Sequence, residues 1–206
     1  MSRLVVATAN AHKLTEIARL LDAEALGLEL VPMTQLGVAS PVEDGATFVD
    51  NALIKARACV AATGLAAIAD DSGIAVDALG GEPGVRSARF AGEDADDAAN
   101  NALLLERLAA AGAGQPERRR AAFVCAAALV LPDGSEHVTE GRMTGRVIEA
   151  PRGAHGFGYD PLFVADATDD GRTNGELTAA EKDAISHRAV AFSALRPVIA
   201  ERFSPR

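Results

Sequence analysis

The chain has 206 residues, 49% of them hydrophobic and 24% charged, with a net charge of −9 and two cysteines. Length and apolar content suit one α/β domain that buries its own core without staples, and the acidic balance excludes the dense Lys/Arg footprint of a duplex-binding protein. Cys59 and Cys125 share no metal-ligand spacing, and neither a signal peptide nor a membrane-length segment is present; the expected setting is the reducing cytoplasm, with neither nucleic acid nor membrane as partner.

An acidic protein that handles an anion must concentrate its few cations, or a metal ion, at one place. Arg3–Ala7 reads as a short buried strand, followed by the polar turn Thr8-Ala9-Asn10-Ala11-His12. A helix starts near Lys13, with Leu14, Ile17, Ala18 and Leu21 spaced along one apolar face. Leu28–Val31 is a second strand. Thr47 is placed to cap a helix from Phe48 to about Thr63, and Gly64 to end it. Leu65–Ala69 is a strand that runs into Asp70-Asp71-Ser72-Gly73, and Ile74–Val76 reads as another. Gly80–Gly92 reads as a long ordered loop.

Asp94 or Asp96 caps a third helix carrying Leu103, Leu104 and Leu108, which ends at Gly112, and Ala113–Glu117 is a loop. Ala121–Leu131 and Ser135–Val147, joined by Pro132-Asp133-Gly134, form a hairpin. Gly153–Asp160 is a glycine-rich loop, and Thr178-Ala179-Ala180-Glu181 is a capping box for one C-terminal helix, with Pro197 as a break or new first turn. Strands and helices alternate early, a hairpin follows and helix closes the chain. The order predicts an α/β fold with a mixed sheet, bent into two lobes around a cleft.

Four polar clusters interrupt these apolar elements. Thr8, Asn10 and Lys13 offer a hydroxyl, an amide and an ammonium at a helix start, where backbone N–H groups favour phosphate; taken alone they also read as a capped helix with a solvated lysine. Glu43 and Lys55 fit an acidic loop and a snorkelling lysine equally well. Asp70 and Asp71 are adjacent carboxylates at the expected end of an apolar strand, and such a pair calls for a cation or hydrogen-bond donors; Mg²⁺ takes oxygen ligands of this kind. Gly156-Phe157-Gly158-Tyr159-Asp160 gives close backbone approach, a flat face and polar edges, and Ser186-His187-Arg188 adds a donor and a guanidinium fork. No histidine spacing suggests zinc, and no Gly-x-Ser-x-Gly elbow suggests covalent catalysis.

In this order the clusters resemble the inosine/xanthosine triphosphate pyrophosphatase family. The resemblance runs through Thr8–Lys13, Thr47–Ala56, Ala69–Gly81, Pro83-Gly84-Val85, Ser87-Ala88-Arg89, Gly156–Pro161 and Ser186-His187-Arg188. It implies a single domain over residues 1–206, an elongated mixed sheet with flanking helices in two lobes around a central nucleotide cleft, and a homodimer. It also implies Mg²⁺-dependent hydrolysis of ITP, dITP and XTP to the monophosphate and pyrophosphate, which clears the nucleotide pool. Carried over by position, Thr8, Asn10, Lys13, Lys55 and Ser72 contact the phosphates, and Asp71 is the catalytic carboxylate. Glu43, Asp71 and Asp70 hold the metal, while Phe157, Gly158, Tyr159, Asp160, Lys182, His187 and Arg188 enclose the base. Arg86, Phe90 and Arg172 depart from the family's usual residues, which bears on dimer packing and loop contacts. Two alternatives stay open: a pyrophosphatase for modified pyrimidine or methylated nucleotides, and a nucleotide-binding protein without turnover.

Overall fold

The structure, a computed structural model, describes residues 2–203. Six strands form one sheet: β1 (Ser2–Val6), β2 (Leu28–Pro32), β3 (Ala67–Val76), β4 (Arg120–Val130), β5 (Glu136–Val147) and β6 (Phe163–Ala165), in the order β2-β1-β3-β4-β5-β6. β1 is parallel to both β2 and β3, and β5 is antiparallel to β6, so the sheet is mixed as the alternation of elements predicts. The helices are α1 (Ala11–Leu21), α2 (Phe48–Thr63), α3 (Asp97–Ala110), α4 (Ala179–Asp183) and α5 (His187–Phe203).

Two compact units partition the chain. The first comprises Met1–Asp71, Cys125–Gly141 and Arg188–Arg206, and the second Ser72–Val124 and Arg142–His187. In the first unit Leu4, Val6, Ile17, Leu21, Ile68 and Leu129 are buried with Phe192, Leu195 and Ile199 of α5. A second cluster there joins Val5, Ala67 and Ala69 to Ala56 and Cys59 of α2, and Ala52 meets Ala126 and Ala128 of β4. Small residues on both surfaces let α2 sit close to the sheet, where dispersion contacts are densest. The second unit has its own core, in which Ile74 and Val76 lie with Leu104 and Leu108 of α3, and with Phe123, Leu162 and Phe163.

Local chemistry explains the helix ends that the sequence foretells. The Asn10 side chain accepts from the N–H groups of His12 and Lys13 and so starts α1. Thr47 and Asp50 form a reciprocal capping box on α2, whose end is Gly64 at φ +67°. Asp96, rather than Asp94, caps α3 by accepting from the Ala99 N–H.

Several expectations are corrected. Residues 67–76 are one strand, so Asp70 and Asp71 lie inside it and not at its end; cationic partners compensate both carboxylates there. Residues 80–92 are ordered as expected, and within them Gly84–Arg89 form a 3₁₀ helix. It is tied to β3 through Ser87, whose Oγ accepts from the Ile74 N–H at 2.9 Å and donates to Gly84 O at 2.6 Å. The capping box at Thr178 opens only the short α4, and the long C-terminal helix begins afresh at His187, with Pro197 inside it.

Candidate active site

In the first unit the functional side chains come from β3, α1, α2 and α5. Successive side chains of a strand point to opposite faces, and the buried neighbours follow that rule: Ile68 belongs with the α1 and α5 side, Ala67 and Ala69 with the α2 side. The two adjacent carboxylates are therefore separated. Asp70 joins the α1 and α5 side chains, and Asp71 joins α2.

Asp70 is fully buried. Its Oδ2 accepts from Arg188 Nε at 3.2 Å and Nη2 at 2.9 Å, and Lys13 Nζ stands 3.3 Å away. Arg188 Nη1 donates to Glu16 of α1. Burial would raise the Asp70 carboxyl, but the charges of Lys13, Arg188 and Lys55 outweigh it and hold the group well below the usual carboxylate range. Burial lowers Arg188 in turn, but the charges of Asp70 and Glu16 outweigh it and raise the guanidinium.

Asp71 lies on the other face. Lys55 Nζ donates to Asp71 Oδ1 at 2.9 Å and to Glu43 Oε2 at 2.8 Å, so one ammonium bridges two carboxylates. Asn51, one turn before Lys55 on α2, donates from Nδ2 to Asp71 Oδ2 at 3.2 Å and accepts from the Gly45 N–H at 2.8 Å. Burial of the Asp71 carboxyl pushes it up more than Lys55 and Lys13 pull it down, and the like charge of Glu43 adds to the rise. Lys55 is raised, because Asp71, Asp70 and Glu43 together outweigh its own desolvation.

These placements give four of the expected site residues definite partners. Asp70 is engaged by a guanidinium and an ammonium on the face opposite Asp71. Arg188 is 1% exposed and pairs with two carboxylates, Asp70 and Glu16. The Asn10 amide oxygen is occupied as a helix cap, and Thr8 Oγ1 accepts from the Asn10 N–H at 3.1 Å, which places both at the start of α1. Asn51 is the residue of this cluster that sequence reading passed over. Its signal was a polar side chain four residues before Lys55 in a stripe otherwise made of Ala52, Ala56 and Cys59.

In the second unit the glycine-rich loop is organised around a carboxylate. Asp160 Oδ2 accepts from Lys182 Nζ at 2.6 Å and from the Phe157 N–H at 3.0 Å, and Asp160 Oδ1 accepts from Asn174 Nδ2 at 3.1 Å. Lys182 Nζ also lies 5.0 Å from the centre of the Phe157 ring, within cation–π range. Gly156 has φ +74°, and a Cβ there would collide with the Asp160 carboxylate; only glycine lets the backbone close over that group. His187 is buried and stacks on Phe123, centroids 4.9 Å apart at 18°. Tyr159 was expected to offer a polar edge to the ligand. Instead its hydroxyl donates to Ser87 O at 2.8 Å, and burial pushes its pKa up. It anchors the loop from inside. Ser72, the first residue of this unit, follows Asp71 in β3 and is only partly buried.

Lysines at a helix start and beside carboxylates in the first unit, and a glycine-rich aromatic loop in the second, are chemistry found among α/β proteins that handle nucleotides. The chain belongs to the Ham1 family, whose sequence model matches residues 4–198. A protein of Frankia alni named dITP/XTP pyrophosphatase is 55% identical over 97% of this chain and 98% of its own length. One of Corynebacterium diphtheriae with the same name is 52% identical over 96% and 97%. Among solved structures, a HAM1 protein from Coxiella burnetii matches with a TM-score of 0.87 at 41% identity, covering 98% of this chain and all of that one. A nucleoside-triphosphatase or dITP/XTP pyrophosphatase of Mycobacterium abscessus matches at 0.75 and 52% identity, over 96% and 99%.

Proposed function

We propose that the chain hydrolyses ITP, dITP and XTP to the monophosphate and pyrophosphate with the help of Mg²⁺, and so removes these nucleotides from the pool. The observation that carries the reading is the Lys55 ammonium held between Glu43 and Asp71. Two carboxylates converge there on a point where positive charge is favoured, beside a second lysine at a helix start. The names of the relatives supply the reaction and the substrate class.

The residues fit a divalent cation. The donors are all oxygen, and Mg²⁺ is commonly held by one or two carboxylates, with waters and substrate phosphates completing its shell. No group of three or more His, Cys, Asp or Glu suited to a metal exists among the described residues. Bound Mg²⁺ would neutralise charge on the polyphosphate oxygens.

The chain's own groups then divide the work. Lys13 and Lys55 stabilise charge as it grows on the leaving pyrophosphate. Asp71 takes a proton from the attacking water, whose oxygen bonds to the α-phosphorus while the bond from that phosphorus to the bridging oxygen breaks. Asn51 fixes the orientation of the Asp71 carboxylate, and Thr8, Asn10 and Ser72 contact the phosphates. Asp70 and Arg188 act through Lys13, setting where its ammonium stands. On the second unit the Phe157 ring takes the face of the base, while Gly158, Asp160, Lys182 and His187 hold its polar edge. A 6-oxo purine accepts hydrogen bonds where adenine donates, so donors at that edge select against adenine.

The test is pyrophosphate release from ITP, XTP, GTP and ATP, with Mg²⁺ and with a chelator, alongside Asp71→Asn. Metal-dependent release from ITP and XTP, well above GTP and ATP and abolished in the variant, is expected. Orthophosphate as the product, or no release at all, overturns the reading. A cytoplasmic homodimer belongs to the same proposal, and sedimentation equilibrium should give twice the chain mass of 21.2 kDa. No helix among the described residues is long and apolar enough to cross a membrane.

A further inference from the structure

Within the second unit, the peptide of Gly158 is gripped at both ends by α3. The Gly158 N–H donates to Asp97 Oδ2 at 2.6 Å, and Asn101 Nδ2 donates to the Gly158 carbonyl at 2.9 Å. Asp97 and Asn101 are four residues apart and so share one face of the helix. Neither is needed to build α3 there: the cap is Asp96, and the apolar stripe that anchors the helix runs through Leu104 and Leu108.

A cavity of about 460 Å³ adjoins the loop, lined by Asp97, Asn101, Ala102 and Leu105 of α3, by Pro151 and by Phe157 itself. A loop with open space beside it, and with glycines at 156 and 158 in the left-handed region, has room to shift. Asp160 is tied to Lys182 and Asn174 and accepts from the Phe157 N–H, and Tyr159 is tied to Ser87. The bonds to the Gly158 peptide from α3 are those of Asp97 and Asn101.

We infer that Asp97 and Asn101 form a two-point clamp that positions the Phe157 ring against the base, making them specificity-setting residues that touch no reacting atom. The inference rests on the base-binding role given above to the Phe157–Asp160 loop. It deepens that role by assigning base recognition to the first two turns of α3. With the clamp opened, the loop relaxes toward the cavity, base contacts weaken, and the phosphate chemistry of the first unit is untouched.

Sequence composition supplies a reporter, since Tyr159 is the only tyrosine and there is no tryptophan. Intrinsic fluorescence therefore reads this loop directly. Asp97→Ala and Asn101→Ala are each expected to make Tyr159 more accessible to acrylamide quenching without any substrate present. Each should raise KM for ITP about fivefold, with kcat within about twofold, the size of one lost hydrogen bond expressed in binding. The double variant should fall short of the product of the two, because both side chains hold one peptide. Inhibition by tripolyphosphate, which has no base, should stay as in the parent chain. Asp97→Asn keeps an acceptor oxygen for the Gly158 N–H and should restore KM, whereas Asn101→Asp has no donor for the carbonyl and should not.

Unchanged quenching and unchanged KM would overturn the clamp. So would a parallel loss of kcat, tripolyphosphate inhibition and melting temperature, which marks a merely structural role. If the parent chain released no pyrophosphate from ITP, the functional reading would fall, and the clamp would be judged by Tyr159 quenching alone: increased access upholds it, and parental access rejects it.

Discussion

At the scale of single residues, adjacent acidic side chains have separate fates because a strand alternates. Asp70 is a buried anion matched by Arg188 and Lys13, and Asp71 is a buried carboxylate that shares Lys55 with Glu43. Breaking a buried pair by removing one partner leaves an uncompensated charge, so Asp70→Asn should destabilise the fold by about 3 kcal/mol near neutral pH. The folded-state pKa of Asp70 is depressed, so its contribution is complete above the ordinary carboxylate value of about 4 and is lost as pH falls through the lower folded value. The gap in melting temperature between parent and Asp70→Asn should thus be widest above about pH 5 and narrow with acidification. A gap that widens in acid would contradict the assignment. Lys55→Ala removes the cation between two carboxylates, so turnover should fall by about a hundredfold or more. Added Mg²⁺ should raise the melting temperature of Lys55→Ala more than that of the parent, because the ion replaces the missing charge. An equal response in the two proteins, measured by calorimetry, would remove Glu43 and Asp71 as the metal pair.

At the scale of elements, the punctuation of α2 was written into the sequence and the course of β3 was not. Thr47 with Asp50 and Gly64 delimit α2 where a reading of caps places its ends, because those interactions are local and reach only a few residues. Gly64 has φ +67°, and a Cβ there would meet nothing within 4 Å, so the cost of Gly64→Ala is conformational alone. It should be about 1 kcal/mol, or a fall of about 2–4 °C in melting temperature. A larger loss would mean that the αL geometry at the helix end carries packing as well. The unbroken β3 was invisible by contrast. A run of two aspartates, serine and glycine looks like a strand end by composition, and it stays extended only because α1, α2 and α5 bring Lys13, Lys55 and Arg188 to it.

At the scale of the molecule, each unit is assembled from separated stretches of chain, three in the first and two in the second, and β3, β4 and β5 pass from one unit to the other. Each unit has a core of its own, yet neither is a continuous segment that could be cut out. Melting one unit would release strand ends that belong to the other. A single calorimetric transition is therefore expected, with calorimetric and van't Hoff enthalpies equal. Two resolved transitions would show the units unfolding independently despite the shared strands.

The sequence by itself determined the α/β class, both ends of α2, the β4–β5 hairpin and the motifs that place the chain in its family. These depend on short-range periodicity, on caps and turns, and on residue types at fixed spacing. Only the tertiary structure decided how the charges are shared: that Lys55 bridges Glu43 and Asp71, that Asn51 orients Asp71, that Arg188 serves Asp70 and Glu16, and that Tyr159 turns inward to Ser87. Partners such as Asp70 and Arg188 are 118 positions apart. No local pattern encodes such a pairing, because the energy that selects it is the cost of leaving a buried charge alone, and burial exists only once the chain has folded.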